Sequence, residues 1–258
     1  MSTTLRKCLR VLESLARSDS PRGISELARE IDLNKSAVQR IFQTLMEEGY
    51  IEKVADNNRY RPTLKIWELG SAIITQNEIR RLIRPILRYA SKISELTVYL
   101  AWADYPDIVY IDKCEGEKGR SNSSDPGQRI PMHLTASGRA ILAFLDDDTI
   151  ARLTEKAELS GDEVAGEISG ADLAAELAAT RDRLYAITER GSMSRVSSIA
   201  APIWNGGEYP VGSIVFTSDS TTLPPSDYDR IGALALNVAE QATVVLGGAF
   251  PTKTFEAP

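Results

Sequence analysis

Cysteine and histidine are scarce in this chain of 258 residues, which has two of the first and one of the second. Cys8 and Cys114 lie far apart, in a predicted helix and a predicted strand, so neither a disulfide framework nor a metal-binding knuckle is expected. With His133 as the single histidine, a zinc site built from histidines has too few ligands. We expect the protein to bind no metal and no cofactor.

Long apolar runs are also missing. No stretch approaches the ~20 apolar residues that a membrane helix requires, and residues 1–10 lack the apolar stretch of a secretory signal. The sequence therefore predicts a cytoplasmic protein without a membrane partner. Its 43% apolar and 26% charged residues are typical of folded globular proteins and argue against disorder.

Common signatures of enzymes are absent as well. The sequence contains no Gly-x-Ser-x-Gly, no Walker motif and no Gly-x-Gly-x-x-Gly, which argues against nucleotide hydrolysis and dinucleotide redox chemistry. A serine hydrolase would have to use His133 as its base. We expect no enzyme activity, and the alternative is a ligand-binding domain with hydrolytic activity fused to a DNA-binding module.

Charge is distributed unevenly along the chain. Residues 1–62 carry 11 Lys and Arg against 9 Asp and Glu, a net charge of +2, whereas the remaining residues carry 19 against 27, a net charge of −8. Because a DNA-binding protein needs only one basic face, the N-terminal segment is the better candidate for contact with nucleic acid. An architectural DNA-binding protein without a ligand is disfavoured, since it would leave the acidic remainder without a role.

Three helices are predicted in the first fifty residues. Leucines recur at helical spacing in residues 5–15, and a second apolar pattern in residues 24–31 follows a turn-forming Ser-Pro-Arg-Gly segment. A third helix begins after Asn34, which can cap it, and ends at Gly49. The second and third helices are joined by about three residues, the short link of a helix-turn-helix.

A basic hairpin follows these helices. Residues 50–54 and 59–61 flank a turn-rich segment and predict two short strands, the wing of a winged helix-turn-helix. The alternative is an unrelated helical domain with the same elements. Donors on the third helix should face the major groove of double-stranded operator DNA, with the wing near the backbone or minor groove. The predicted DNA-binding residues are Ser25, Lys35, Ser36, Gln39, Arg40 and Arg59.

Two more helical patterns connect this region to the rest of the chain. The first occupies residues 64–74 and the second begins after Asn77. Pro85 implies either a helix start near Arg84 or a kink, because proline cannot donate to the preceding turn. The apolar excess here is a candidate dimer surface, and packing onto the following domain is equally compatible with it.

Beyond Thr97 the pattern changes to a mixed α/β domain. Alternating apolar residues predict strands at residues 97–103, 108–114, 197–204 and 209–217. Helical patterns occupy residues 135–145, 148–157 and 170–185, and a last helix carries an apolar face through residues 231–245.

Several short segments together resemble one known family. They are Ile24-Ser25-Glu26-Leu27-Ala28, the helix from Lys35 to Gly49 with Arg40 and Leu45, Leu69-Gly70, Arg84-Pro85-Ile86-Leu87, Ile130-Pro131-Met132-His133, Ser137-Gly138-Arg139-Ala140 and Ser198-Ile199-Ala200-Ala201-Pro202-Ile203. In this order they make the chain similar to the IclR family of bacterial transcriptional regulators over nearly its whole length.

The resemblance implies an α+β protein, in which a winged helix-turn-helix is joined by a helical linker to a GAF-like effector-binding domain with a six-stranded antiparallel sheet. We expect the DNA-binding domain in residues 1–63, the linker helix in 64–78 and the effector-binding and oligomerisation domain in 79–258. The resemblance further implies dimers or tetramers on operator DNA. We expect repression rather than activation, controlled by a small organic acid or related catabolic metabolite.

Carried over residue by residue, the resemblance also implies an effector pocket. A helix N-terminus at residues 135–137 would favour an anion such as a carboxylate, and the alternative is that these hydroxyls are ordinary caps and core hydroxyls. The chain has Thr188 and Gly191 where the family usually has an acidic residue and a glutamate, and Glu189 is the candidate substitute. The predicted effector-binding residues are Asn122, Ile130, Ala136, Ser137, Thr188, Ser198, Val215 and Thr217.

Overall fold

The computed structural model describes residues 3–54, 57–119, 124–158, 170–189 and 196–251. The chain divides into two compact units, Met1–Asn77 and Glu78–Pro258. The predicted α+β class is confirmed, because helices dominate the first unit and a six-stranded sheet with helices forms the second. The helix that was expected to act as a linker is grouped with the first unit, and its role as a linker stays a prediction.

The N-terminal unit consists of helices around a small sheet. Its helices are α1 (Thr3–Ala16), α2 (Ile24–Glu30), α3 (Lys35–Glu47) and α4 (Leu64–Gln76). Its strands are β1 (Arg22–Gly23), β2 (Ile51–Lys53) and β3 (Arg59–Pro62), which pair antiparallel in the order β1-β3-β2. The helix-turn-helix and the hairpin therefore lie where the sequence predicts them.

In the core of this unit, the apolar faces of α1, α2 and α3 pack against one another and against the hairpin. Its members recur at the helical spacing that the sequence shows, because side chains three and four residues apart share one face of a helix. Phe42 of α3 meets Tyr60 of β3 edge to face, with ring centroids 4.7 Å apart. The buried core residues are Val11, Leu15, Leu27, Ala28, Ile31, Val38, Ile41, Phe42, Leu45, Ile51 and Tyr60.

The turn between α2 and α3 sets the direction of α3. Asp32 has a φ of 53°, a left-handed conformation that aspartate tolerates better than most residues. The Leu33 amide donates to the Ala28 carbonyl over 2.9 Å. Asn34 then caps α3, since its Oδ1 accepts from the Ala37 amide over 2.8 Å. The predicted cap is confirmed.

The C-terminal unit is built on one antiparallel sheet. Its strands are β4 (Thr97–Asp104), β5 (Asp107–Cys114), β6 (Arg129–Pro131), β7 (Ala186–Glu189), β8 (Val196–Ile203) and β9 (Gly212–Asp219), in the order β6-β5-β4-β9-β8-β7. Its helices are α5 (Glu78–Ser94), α6 (Ala136–Leu142), α7 (Asp147–Glu158), α8 (Gly170–Arg183) and α9 (Tyr228–Val245). This confirms the six-stranded sheet that the resemblance implies.

Helices cover both faces of this sheet. Helices α5 and α9 pack on one face, and α6 and α8 lie on the other. Because successive side chains of a strand point to opposite faces, each central strand contributes to two separate apolar clusters. Phe216 belongs to the cluster under α5 and α9, and its neighbour Val215 belongs to the cluster under α6.

The structure corrects several expected boundaries. Pro85 lies inside α5, which begins at Glu78, so the alternative of a helix start near Arg84 is wrong. Helix α6 ends at Leu142 rather than at residue 145. The short strands β6 and β7 were not predicted individually, because strands of three and four residues are too short for alternation to identify.

Candidate functional site

The polar side of α3 is exposed, as a DNA-reading helix requires. Lys35, Gln39 and Arg40 are all exposed, whereas Val38 and Phe42 are buried in the core on the other side of the helix. Side chains that contact bases or phosphates must extend from a rigid backbone into solvent. The packing of α3 supplies that rigidity.

Two other predicted DNA-binding residues, Ser36 and Arg59, already have partners within the unit. Ser36 Oγ donates to Asn34 Oδ1 over 3.1 Å, so this hydroxyl belongs to the cap of α3. Arg59 Nη1 donates to the Pro21 carbonyl over 2.8 Å and lies 3.6 Å from Glu26 Oε2. Ser25 is exposed on α2. Lys35, Gln39 and Arg40 of α3, together with Ser25, are therefore more available as donors than Ser36 and Arg59.

An ion network that the sequence did not indicate ties β1 to α2 and α1. Arg22 Nε lies 2.8 Å from Glu26 Oε1, and its guanidinium also contacts Glu30. Ser14 Oγ of α1 donates to Glu30 Oε1 over 2.6 Å. The hydrogen bonds from Ser14 and then Arg22 lower the pKa of Glu30 below its ordinary value. The network joins α2 to β1 and α1.

The predicted effector residues fall into an apolar set and a hydroxyl set. Ile130, Ala136 and Val215 belong to the same buried cluster, on the sheet face that α6 covers. Two aromatic residues that were not predicted, Tyr99 and Tyr110, complete this part of the site, with ring centroids 4.8 Å apart. The cluster forms an apolar wall with phenol groups in it.

The hydroxyl set forms a row across neighbouring strands. Strand register pairs Thr188 with Ser198, Ser198 with Thr217 and Thr217 with Thr97. Ser198 Oγ donates to Thr217 Oγ1 over 3.0 Å, and Thr217 Oγ1 donates to the Ser197 carbonyl over 3.1 Å. This row lies on the same sheet face as Val215, because residues two apart on a strand share a face.

Ser137 lies in the first turn of α6, whose N-terminus is capped by Thr135. Its side chain is fully buried, and its Oγ is 3.1 Å from Tyr110 Oη and 3.0 Å from Thr135 Oγ1, to which it donates. Thr135 caps the helix by accepting from the Gly138 amide over 2.9 Å. Ser213 Oγ donates to the Ser137 carbonyl over 3.1 Å. These contacts connect α6 to β5 and β9 through hydroxyl groups.

Glu189 does not replace the acidic residues that the resemblance implies. It is opposite Ser197 in the sheet. Its carboxylate interacts with the phenol of Tyr228 on α9, on the face away from Thr188. Burial, and then the Glu189 carboxylate that accepts a hydrogen bond from the phenol, raise the pKa of Tyr228 above its ordinary value, while Ser197 opposes this shift. Alternation along β7 therefore directs the carboxylate away from the hydroxyl row. Asn122 and Gly191 lie outside the described residues.

The structure adds a cation, Lys113, that no pattern in the sequence indicated. Lys113 of β5 is paired with Tyr99 of β4, and its Nζ is 5.8 Å from the centroid of the Tyr99 ring. Alternation along β4 and β5 could have placed Thr97, Tyr99 and Lys113 on one face, once the pairing of the strands was known. Composition and motifs carried no such signal.

The Ser137 hydroxyl is not placed as a catalytic nucleophile. Ser137 Oγ bonds to a phenol and a hydroxyl rather than to an imidazole, so it lacks the general base that a serine nucleophile requires. Among the residues that the structure describes, no group of three or more His, Cys, Asp or Glu side chains is placed to hold a metal ion. Within the same residues, no helix is long and apolar enough to cross a membrane.

Two family models match the chain. The model described as the C-terminal domain of the bacterial transcriptional regulator IclR matches residues 71–244, and the IclR helix-turn-helix model matches residues 4–55. The Transcriptional repressor IclR of Escherichia coli (strain K12) is 25% identical over 247 residues, which are 95% of this chain and 90% of that protein.

Solved structures share the same fold. The crystal structure of Thermotoga maritima IclR is similar with a TM-score of 0.72 and 26% identity, covering 95% of this chain and 98% of that one. An IclR homolog from Microbacterium hydrocarbonoxydans, in complex with 4-hydroxybenzoate, has a TM-score of 0.75 and 16% identity, covering 95% and 99% of the two chains. Each of these proteins combines both units seen here.

Proposed function

The chain belongs to the IclR family of bacterial transcriptional regulators, and from this premise we propose that it is a repressor whose operator affinity is controlled by a small organic acid or related catabolic metabolite. As a member of that family it is a DNA-binding regulator and not an enzyme.

DNA binding is assigned mainly to the exposed donors of α3. Lys35, Gln39 and Arg40 extend from a helix whose other side is locked into the core. Arginine recognises guanine with two hydrogen bonds and glutamine recognises adenine in the major groove. Arg59 and Ser36 are held by neighbouring groups, so we assign them to supporting the wing and the helix N-terminus, with Ser25 near the DNA backbone.

Effector binding is assigned to the apolar wall and the hydroxyl row. A small-molecule site combines apolar surfaces with a few polar groups that fix orientation, and the cluster around Val215 beside Ser198 and Thr217 has this composition. Thr188 replaces an acidic residue, which removes a negative charge that would repel an anion. The relative from Microbacterium hydrocarbonoxydans, whose structure holds 4-hydroxybenzoate, supports a small organic acid.

We further propose that the functional unit is a dimer or a dimer of dimers. One recognition helix reads few base pairs, and two-fold symmetry multiplies the contacts with a pseudo-palindromic operator. Large apolar side chains are exposed along α4, where a second copy can cover them. These are Leu64, Trp67, Leu69, Ile73 and Ile74.

Selection of an operator tests the proposal directly. Full-length protein is used to select duplexes from random double-stranded DNA, and the enriched sequence is then titrated with wild type, Arg40→Ala and Arg17→Ala. Arg17 is an exposed arginine outside α3, so its variant controls for the loss of one charge. If Arg40 reads a guanine, its removal costs about 1–3 kcal/mol and relaxes one position of the site.

The outcomes separate the parts of the proposal. A pseudo-palindromic site, bound by two or four chains, supports the oligomeric regulator. Uniform weakening by Arg40→Ala, with a smaller dependence on salt, would assign Arg40 to a phosphate instead. Failure to enrich any sequence would reject DNA-binding by α3, and enrichment of a site that Arg40→Ala binds as tightly as wild type would reject the assignment of Arg40.

A further inference from the structure

Lys113 is partly buried in the C-terminal unit. Its side chain is only 14% exposed, an unusual environment for lysine. The strand register puts Lys113, Tyr99 and Val215 in one row on the sheet face covered by α6. Its ammonium group faces the ring of Tyr99 at 5.8 Å from the centroid, within the range of a cation–π contact.

A continuous series of contacts leads from this ammonium group to α6. The Tyr99 ring packs against the Tyr110 ring at 4.8 Å, and Tyr110 Oη is 3.1 Å from Ser137 Oγ. Thr97, the neighbour of Tyr99 on the same face, is paired with Thr217 in the hydroxyl row. Lys113 therefore lies at the edge of the same polar and aromatic surface that the proposed function assigns to the effector.

The carboxylate partners of Lys113 are on the solvent side. Lys113 Nζ lies 2.8 Å from Glu115 Oε1 and 3.5 Å from Asp125 Oδ1, and these side chains are 68% and 86% exposed. Ion pairs with exposed groups contribute little to stability, so they do not account for holding a lysine in an aromatic environment. Exposed carboxylates are also easily displaced, because water solvates them when they leave.

The ammonium group keeps its charge in this position. Burial acts to lower the pKa of Lys113, but the hydrogen bond with Glu115, together with Tyr99 and Asp125, raises it above the ordinary value. A charged donor therefore stays beside the apolar wall. Hydrogen bonds to charged groups are stronger than those between neutral groups.

We propose that Lys113 binds the carboxylate of the effector. In the absence of the effector, Glu115 and Asp125 form ion pairs with Lys113, and the effector's carboxylate displaces them. This inference rests on the proposed function, and it narrows the effector to an anion. The apolar part of the ligand then lies along Tyr99 and Val215. Two internal carboxylates compete with the ligand, so their removal strengthens binding, whereas removal of Lys113 weakens it.

Titration calorimetry of the full-length protein with matched acids and amides tests the inference. The probes are acetate, lactate and benzoate, each compared with its neutral amide. The variants are Lys113→Met, Lys113→Arg and the double variant Glu115→Gln with Asp125→Asn. Lys118→Met is the matched control, since Lys118 is an exposed lysine paired with Glu95 in the same unit.

We expect at least one acid to bind wild type, with its amide much weaker. Lys113→Met should weaken that acid about 10- to 150-fold, the factor for losing one charged hydrogen-bond partner. Lys113→Arg should recover part of the affinity, Lys118→Met should match wild type, and the double variant should bind severalfold more tightly. A lysine with only a structural role predicts that the double variant weakens binding or leaves it unchanged.

Four results would overturn the inference: no binding of any acid, equal binding of acids and amides, unchanged acid affinity in Lys113→Met, or an acid affinity that the double variant weakens or leaves unchanged. Operator binding of the same preparations is measured in parallel. Intact operator binding with any of these four results rejects Lys113 as the carboxylate site and leaves the DNA-binding proposal standing. If the wild-type protein binds no operator, the proposed function itself is rejected.

Discussion

The two units of this protein use polar groups in opposite ways. In the N-terminal unit the candidate donors of α3 are exposed, and the pair between Arg59 and Glu26 lies at the surface. In the C-terminal unit the polar groups of interest are inside, as with Thr217 and with Asp112, whose side chain is 3% exposed. A site for a large polyanion has to project outward, whereas a site for a small molecule has to enclose it.

The difference extends to how each site is assembled. The face of α3 needs only one helix, whose side chains are arranged by a period of 3.6 residues. The hydroxyl row needs β4, β9, β8 and β7 in the correct register. Substitutions in the first unit should therefore act mainly on binding, and substitutions of buried groups in the second should act on folding as well.

The largest expected effect is on the buried ion pair of the C-terminal unit. Arg84 of α5 contacts Asp112 Oδ1, Arg80 lies 3.4 Å from the same atom, and Oδ2 has no partner within the described residues. Arg84→Met leaves a buried carboxylate poorly compensated, so we expect a loss of about 3 kcal/mol in the free energy of unfolding. Urea denaturation followed by tryptophan fluorescence measures it.

A neighbouring arginine on α5 provides the control for that experiment. Arg81 pairs with Glu78 at the surface, and Arg81→Met should cost under ~0.5 kcal/mol. A background with Trp67→Phe restricts the fluorescence signal to the C-terminal unit, which contains Trp102 and Trp204. Equal effects of the two variants would show that the burial of Asp112 does not determine the cost of removing an arginine from α5.

A smaller effect is expected from tight packing at α6. A Cβ added at Gly138 would lie 2.1 Å from the Met132 carbonyl oxygen, so backbone must move. We expect Gly138→Ala to destabilise the C-terminal unit by about 1–3 kcal/mol and to disturb Ser137 beside it. Gly170→Ala is the control, because a Cβ there meets no described atom within 4 Å. Thermal unfolding compares the two, and similar melting temperatures would contradict the prediction.

The smallest effect is expected at the surface network of the N-terminal unit. Because the folded state lowers the pKa of Glu30 through Ser14 and Arg22, this group stabilises the unit at neutral pH, and that contribution is lost as pH falls below about 4. The groups are partly exposed, so Glu30→Gln should cost under ~1 kcal/mol at pH 7. Urea titrations at pH 7 and pH 3 should show the gap between wild type and variant shrinking. A constant gap would argue against the ion network.

The N-terminal unit could be predicted closely because its signals are local. Asn34 caps α3, and the alternation between buried Val38 and exposed Gln39 follows from helical period alone. Arg59 shows the limit of this reasoning. A basic residue on the wing was expected at the DNA, but the structure pairs it with Pro21 and Glu26, which belong to the segment before α2 and to α2 itself.

In the C-terminal unit the sequence by itself determined which segments form the longer strands and helices, and the family resemblance identified a set of candidate effector residues. Only the tertiary structure decided which polar groups meet. Thr97 reaches Thr217 through the pairing of β4 with β9, and Lys113 reaches Tyr99 through the pairing of β5 with β4. The physical reason is that hydrogen bonds between strands join residues distant in sequence, and a shift of one residue would turn each of these side chains to the opposite face.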